Sequence, residues 1–269
     1  MSLAFAKSLR RSPAPISLLC ALALATPIGA GCGGDDDDDG DDNPGIDAGD
    51  GADDDGADVD AGDDDGLDAS VGCVPTDLLP ADFIPIAEVA EADLTSTTEE
   101  GVTVATIDAT AGGFFDSADN PFIYVDLETG VKVDIDDVEA LTSDAWDIAF
   151  KRATIRLNGG DSGPSDVGLA VVEGGFDDVT EPPADAAYEE DDWVSEDCTL
   201  VAERDGTPAS AFHEWYDYDD PTMTLTPKAI VHVIRTRSGG FVKLVIDGFY
   251  DETGEERISA VYSVRWAAL

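Results

Sequence analysis

The sequence predicts an all-β fold, a single domain of mostly antiparallel strands in packed sheets, and three observations indicate it. From Cys73 onward apolar and polar residues alternate with a period of two, as side chains do along a half-buried strand. Gly, Pro, Asp and Ser separate the alternating runs, which is typical of hairpin-rich β proteins. Residues 73–269, 197 in all, also suit a single domain.

The strand-like runs follow one another along this domain with short gaps. Turn residues join two pairs of runs, at Glu128-Thr129-Gly130 and at Arg237-Ser238-Gly239-Gly240, and both joints favour hairpins. In the run that contains Trp146, the alternation places this residue on one face with Ile148 and Phe150. Residues 185–192 are the stretch compatible with a short helix. The predicted strands are 102–107, 122–127, 131–135, 145–150, 152–157, 167–173, 229–236, 241–250 and 257–266.

The amino terminus predicts export. Lys7, Arg10 and Arg11 precede a short apolar run at 16–25, and small residues then lead to Cys32. This order is that of a secretory signal peptide, here residues 1–31, and its apolar run is too short to span a bilayer. A cysteine at this position resembles a bacterial lipobox, so we expect lipidation of Cys32; ordinary cleavage and a soluble secreted protein is the alternative.

Residues 32–72 predict a disordered acidic tether. They contain 18 aspartates and no Lys or Arg, so the segment repels itself and has little to bury. Residues 35–40 match the opening of an EF-hand loop, but Ile46 occupies the position of its closing glutamate. We therefore favour a solvated spacer over a calcium site.

The negative net charge of the chain argues against anionic partners. The chain has 60 acidic and 14 basic residues, a formal net charge of −46. Subtracting the 18 tether acids and the 3 signal-peptide bases leaves 42 acids and 11 bases in residues 73–269, a net of −31. A field of this sign repels nucleic acid and anionic membrane surfaces, so we expect neither as a partner beyond the lipid anchor.

Two cysteines remain in the predicted domain. Cys73 and Cys198 would both be in an oxidising compartment, so we expect a disulfide between them. It would close a loop of more than a hundred residues, for which the chain-entropy model gives roughly 4–5 kcal/mol. Two isolated cysteines without CxxC spacing are a poor zinc ligand set, and no metal site is expected.

Two motif-bearing segments are more specific than the composition. The first segment is the W-D-I-A-F-K-R run at 146–152, followed by Asn158-Gly159-Gly160 and Ser162-Gly163. The second contains W-Y-D-Y at 215–218, V-H-V-I-R-T at 231–236 and a carboxy-terminal V-R-W at 264–266. Together they resemble the HmuY family, lipoproteins that Gram-negative bacteria export to the outer membrane. The resemblance implies an all-β fold, capture of haem or a related porphyrin, and transfer to a TonB-dependent outer-membrane receptor.

The resemblance implies axial haem ligands, which are usually His or Met. The domain offers His213, His232 and Met223. His213 lies beside Trp215 and Tyr216, which could contact a porphyrin, so the pair His213 and Met223 is the first choice and the two histidines the second. His232, in mid-strand, could instead be a satisfied buried side chain, and Met223 could be packing.

Haem propionates are anionic and usually pair with Lys or Arg. The acidic domain has few of these residues. Arg235 is the favoured contact within a possible local patch. This scarcity supports an alternative from a different class, a structural or adhesive surface lipoprotein that binds a protein, a glycan or calcium. The six residues of the possible patch are Lys151, Arg152, Arg156, Lys228, Arg235 and Arg237.

Enzyme motifs are not supported by their context, and we expect no catalytic residues. Gly160-Asp161-Ser162-Gly163 resembles a serine-protease motif, but no histidine precedes Ser162 to serve as its base. Carboxylates are too abundant for any pair to stand out, and Asp147 more plausibly serves a strand edge or a turn. The sequence therefore indicates a binding module.

Overall fold

The computed structural model describes residues 77–184, 188–203 and 206–269. The predicted signal peptide, the acidic tether, Cys32 and Cys73 lie outside the described residues, so the Cys73–Cys198 disulfide stays a prediction. Within the described ranges, no helix has the length and apolarity that crossing a membrane requires.

The predicted all-β class is confirmed. The helical elements with described bounds are α1 (Asp137–Ala140) and short 3-10 segments at Ala81–Phe83, Ser117–Asp119 and Phe176–Asp178. The strands are β1 (Leu94–Glu99), β2 (Val102–Asp108), β3 (Ile123–Asp126), β4 (Val131–Val133), β5 (Ile148–Lys151), β6 (Thr154–Leu157), β7 (Gly168–Glu173), β8 (Tyr216–Asp219), β9 (Thr224–Pro227), β10 (Ile230–Arg235), β11 (Phe241–Asp251) and β12 (Ile258–Ala268).

The strands form three antiparallel sheets. The largest has the order β1-β2-β12-β11-β10-β7, the second has the order β4-β3-β5-β6, and β8 and β9 form a two-stranded ribbon. The main hydrophobic core combines side chains of the first two sheets, such as Leu244 and Trp266 from one and Val125 and Phe150 from the other. The two larger sheets therefore pack face to face, as alternating strands with one apolar side require.

The long strands at the centre of the large sheet show why alternation specifies this fold. Along β12, Tyr262, Val264 and Trp266 are buried while the residues between them are more exposed. The β10–β11 hairpin forms where the sequence predicts it, and Gly239 adopts φ +83° in its turn. Glycine reaches this left-handed region without steric cost.

Trp146 is fully buried, as predicted, but on a different face from the one expected. Strand β5 begins only at Ile148, and the indole packs with Tyr124 and Ala149 in a second cluster, whereas Ile148 and Phe150 enter the main core. Its Nε1–H donates to the Ala140 carbonyl at 3.1 Å. Because β5 is buried on both faces, simple alternation could not identify the cluster that receives Trp146.

Two smaller expectations have different outcomes. Asp147 serves turns: its buried carboxylate accepts the backbone N–H groups of Leu127 and Arg237, each at 2.9 Å, and so joins two hairpins. The short helix expected within residues 185–192 is not formed in the described part of that stretch, since Glu189 and Asp191 make isolated β-bridges.

Candidate functional site

A cleft of about 680 Å³ opens beside the turn between β5 and β6. Its volume lies within the roughly 300–1,000 Å³ typical of small-molecule and cofactor sites. The β5–β6 turn, the irregular segment before β8 and the β8–β9 ribbon form its walls. The lining residues are Phe83, Ala153, Thr154, Ile155, Glu203, Thr207, Pro208, Ser210, Phe212, His213, Trp215, Tyr216, Tyr218, Asp220 and Leu225.

His213 is the histidine that lines the cleft. Its side chain is 39% exposed, and its Nδ1 lies 2.9 Å from the Ser210 carbonyl oxygen. A carbonyl only accepts, so the hydrogen bond places the proton on Nδ1 and leaves the Nε2 lone pair available in the neutral ring. A backbone carbonyl that accepts from one ring nitrogen commonly orients an imidazole whose other nitrogen binds a metal.

Aromatic side chains line the cleft next to His213. Trp215 is 1% exposed, its indole N–H donates to the Ala153 carbonyl at 3.0 Å, and its ring contacts that of Tyr216 at 4.7 Å between centroids. Phe212 is also 1% exposed and belongs to the main core. The cleft therefore has a rigid apolar wall that continues into the hydrophobic core.

His232 lies behind this wall and outside the cleft lining. It is 2% exposed, and its ring is 4.8 Å from that of Phe212. Its Nδ1 has no hydrogen-bond partner among the described residues. Burial lowers the pKa of His232 to about 4, because the charged imidazolium is poorly solvated there, so the ring is neutral at pH 7.

Met223, the other predicted ligand, lies in the turn of the β8–β9 ribbon. Its side chain is 73% exposed, its φ is +52°, and it is not among the residues that line the cleft. The structure thus brings His213, Trp215 and Tyr216 together and places Met223 and His232 elsewhere.

None of the six basic residues of the predicted patch lines the cleft. Arg235 donates to Glu190 at 3.0 Å and to the Asp166 carbonyl, away from the cleft. Arg156 is buried and donates to both the hydroxyl and the carbonyl of Ser162, each at 2.9 Å. Arg237 pairs with Asp126 at 2.9 Å. The three are occupied by structural contacts.

The cleft itself is acidic. Among the described lining residues, Glu203 and Asp220 carry charge and none is Lys or Arg. Glu203 lies 3.8 Å from His213 Nδ1, and the nearby Glu214 lies 4.0 Å from Nε2. Neither here nor elsewhere in the described ranges is a group of three or more His, Cys, Asp or Glu side chains placed to hold a metal ion.

Sequence reasoning did not identify several residues of the site. Ser210 orients His213, Phe83 comes from a 3-10 segment far away in the chain, and Leu225 comes from β9. Ser210 and Tyr218 could have been predicted, since they lie close in sequence to His213, Trp215 and Tyr216. Phe83 gives no such signal, because nothing in its local sequence indicates which distant residue it contacts.

Comparison with known proteins assigns the family. The model of the HmuY protein family matches residues 118–262, which is 145 of the 269 residues. The apo HmuY analogue of Tannerella forsythia is 18% identical, with a TM-score of 0.45, 65% of this chain covered and 96% of that one. An HmuY-like protein from Bacteroides vulgatus, suspected to bind haem, is 18% identical, with a TM-score of 0.44 and coverages of 66% and 97%. No curated protein matches the chain. Since the family match spans more than half of its length, this chain belongs to the HmuY family.

Proposed function

We propose that this protein is an exported, lipid-anchored binding protein that captures haem or a related porphyrin in the cleft beside His213. The observation that carries the proposal is an aromatic-walled cleft with one histidine whose Nε2 is left free by the Nδ1–Ser210 hydrogen bond. Membership of the HmuY family supports the same ligand class. The activity is binding and needs no catalytic residue.

The size of the cleft and its aromatic lining support a porphyrin as the ligand. Tyr216 and the half-exposed Tyr218 offer aromatic surface to a flat macrocycle, and the buried Trp215 and Phe212 support them from the core. His213 supplies the axial nitrogen. The porphyrin is the cargo of this protein. The chain would therefore orient the imidazole of His213 and exclude water from one face of the porphyrin.

Only one axial ligand is proposed from the described residues. Met223 is exposed in a turn, and His232 is separated from the cleft by Phe212, so neither is placed to meet the same iron as His213. Tyr216 and Tyr218 are the tyrosines among the described residues that line the cleft.

A haemin titration of the purified domain tests the proposal. Wild-type protein should shift and sharpen the Soret band with 1:1 stoichiometry. His213→Ala should weaken binding and change the band position, because it removes the iron–nitrogen bond. His232→Leu is the matched control, since it removes a histidine that lies outside the cleft, and it should bind as the wild type does.

A flat wild-type titration would remove the haem function while leaving the family assignment in place. If His232→Leu abolishes the spectral shift and His213→Ala does not, the axial assignment is wrong.

The anchor and the receptor are parts of the same proposal. The signal-peptide pattern that ends at Cys32 supports lipidation there, and the acidic tether would hold the domain away from the membrane. Delivery of haem to a TonB-dependent outer-membrane receptor is supported by the family. Cys32→Ser should move the protein from the membrane fraction to the soluble fraction of the cells. An unchanged distribution contradicts lipidation at this residue.

A second candidate function is a structural or adhesive surface lipoprotein that keeps the scaffold and binds a protein, a glycan or calcium. Glu203 and Asp220, the charged residues among the described cleft lining, favour it, because they repel an anionic porphyrin. Thermal unfolding separates the two: calcium, and not haemin, would raise the melting temperature of a calcium-binding protein.

A further inference from the structure

A second pocket of about 330 Å³ adjoins the cleft. The two share three lining residues, Phe83, Thr154 and Thr207. The second pocket differs in charge: it is lined by Lys151 and Arg152, whereas the described lining of the cleft has no base.

Lys151 is the unusual residue of this pocket. It is 2% exposed, and its ammonium has no hydrogen-bond acceptor among the described residues. The other described lysines each have an oxygen near Nζ, for example the Ala90 carbonyl at 2.5 Å for Lys132. The Phe122 ring, 5.1 Å from Nζ, offers only a partial cation–π substitute. Burial lowers the pKa of the Lys151 ammonium, and an anion that accepts from Nζ would stabilise the charged form.

The described lining of the pocket has more bases than acids. Arg152 is held by hydrogen bonds from its guanidinium to the Thr110 carbonyl and to Ser259. Asp82 is the one acid among the described lining residues, and it accepts a hydrogen bond from Ser117. The described lining thus has two bases and one acid, while Asp137, Asp119 and Arg156 also act on Lys151 from outside it.

The mouth of the pocket is apolar. Phe114 and Phe115, which line it, are 76% and 91% exposed, the two most exposed large hydrophobic side chains of the described residues. Their rings meet edge to face at 5.4 Å between centroids. Two neighbouring exposed phenylalanines beside a buried cation would both gain by covering the same ligand.

We propose that this pocket binds the carboxylate of an apolar acid, with Lys151 Nζ as the donor and the Phe114–Phe115 pair covering the apolar body. Two sources of such a carboxylate fit: a free aromatic or aliphatic monocarboxylic acid, and the propionate arm of a porphyrin held in the adjoining cleft. The second source rests on the proposed haem function, and the first does not.

The first experiment measures binding of 3-phenylpropionate by saturation-transfer NMR and calorimetry, with 3-phenylpropanol as the uncharged probe. Wild-type protein should bind the acid more tightly than the alcohol. Lys151→Met should weaken acid binding by about tenfold or more and leave alcohol binding unchanged, because one charge-assisted hydrogen bond is removed. Lys132→Met is the matched control, since Lys132 lies outside the pocket lining, and it should behave as the wild type.

The second experiment compares haemin with haemin dimethyl ester by Soret titration. If a propionate occupies the pocket, wild-type protein should prefer haemin by about tenfold, and Lys151→Met should abolish the preference without abolishing binding. A loss of all haemin binding in wild type would remove the proposed function and leave the first experiment intact.

The outcomes separate cleanly. If the wild type prefers 3-phenylpropionate over 3-phenylpropanol, the pocket binds free acids. If it shows only a preference for haemin over haemin dimethyl ester, the pocket binds the propionate. If neither carboxylate is preferred over its neutral counterpart, or if Lys151→Met discriminates as the wild type does, the proposal is overturned. Phe115→Ala changes an exposed side chain and keeps the test valid should Lys151→Met fail to fold; it should weaken the acid and the alcohol alike.

Discussion

Replacing His232 by leucine should make the stability of the domain less sensitive to acid. His232 is 2% exposed and stacks on Phe212, and burial lowers its pKa to about 4 from an ordinary value near 6.5. The difference is about 2.5 pKa units, and each unit corresponds to about 1.4 kcal/mol. The folded state should therefore lose about 3 kcal/mol between pH 7.5 and pH 4 through this one residue.

The sign follows from proton binding. Between pH 6.5 and 4 the unfolded chain takes up a proton at His232 that the native state does not accept, so the equilibrium moves toward unfolding as the pH falls. Asp191, whose pKa burial raises to about 6, contributes in the opposite direction. This contribution is common to the wild type and to His232→Leu, so it cancels when the two are compared.

Urea unfolding at pH 7.5 and pH 4, followed by tryptophan fluorescence, measures the effect. The wild type should lose about 3 kcal/mol more than His232→Leu over this interval. His232→Gln, also without a titrating group, should match His232→Leu, which separates lost titration from altered packing. Equal acid sensitivity in all three proteins would refute the inference that His232 is buried and neutral.

Three further predictions concern the scaffold. Trp146→Ala should lower the free energy of unfolding by about 3–5 kcal/mol in urea, because a fully buried indole is removed, and a loss under 1 kcal/mol contradicts its burial. Arg156→Met should cost ~1–3 kcal/mol in the same assay, since Ser162 loses both donors, and an unchanged midpoint would show that these hydrogen bonds contribute nothing. Cys198→Ser should cost about 4–5 kcal/mol if Cys73 is its partner, and reaction of either thiol with iodoacetamide in the native, unreduced protein argues against the disulfide.

Much of the fold could be predicted from the sequence, because alternation acts locally. The strand β12 shows the period of two directly, and Gly239 supplies the positive φ in the turn between β10 and β11. The face that receives Trp146 could not be predicted, since β5 is buried on both sides and the strand starts three residues later than the pattern indicates.

The site was less predictable because it forms where the chain is irregular. Residues 208–215 have no periodicity, yet they place Ser210 against His213 and Trp215 against Ala153. Lys151 looks like an exposed strand residue in the sequence, and only the packing of Phe122 against it shows that it is buried. Met223 is a plausible ligand by type, but its place in an exposed turn is set by the β8–β9 pairing.

Resonance Raman spectroscopy of the ferrous haem complex tests the central claim most directly, since it reports the bond between iron and the imidazole of His213. The wild-type complex should show one iron–nitrogen stretching band that moves on labelling with ¹⁵N-histidine and that is absent from His213→Ala. A complex that lacks the band, or that keeps it in His213→Ala, would contradict the assignment of the cleft as the haem site.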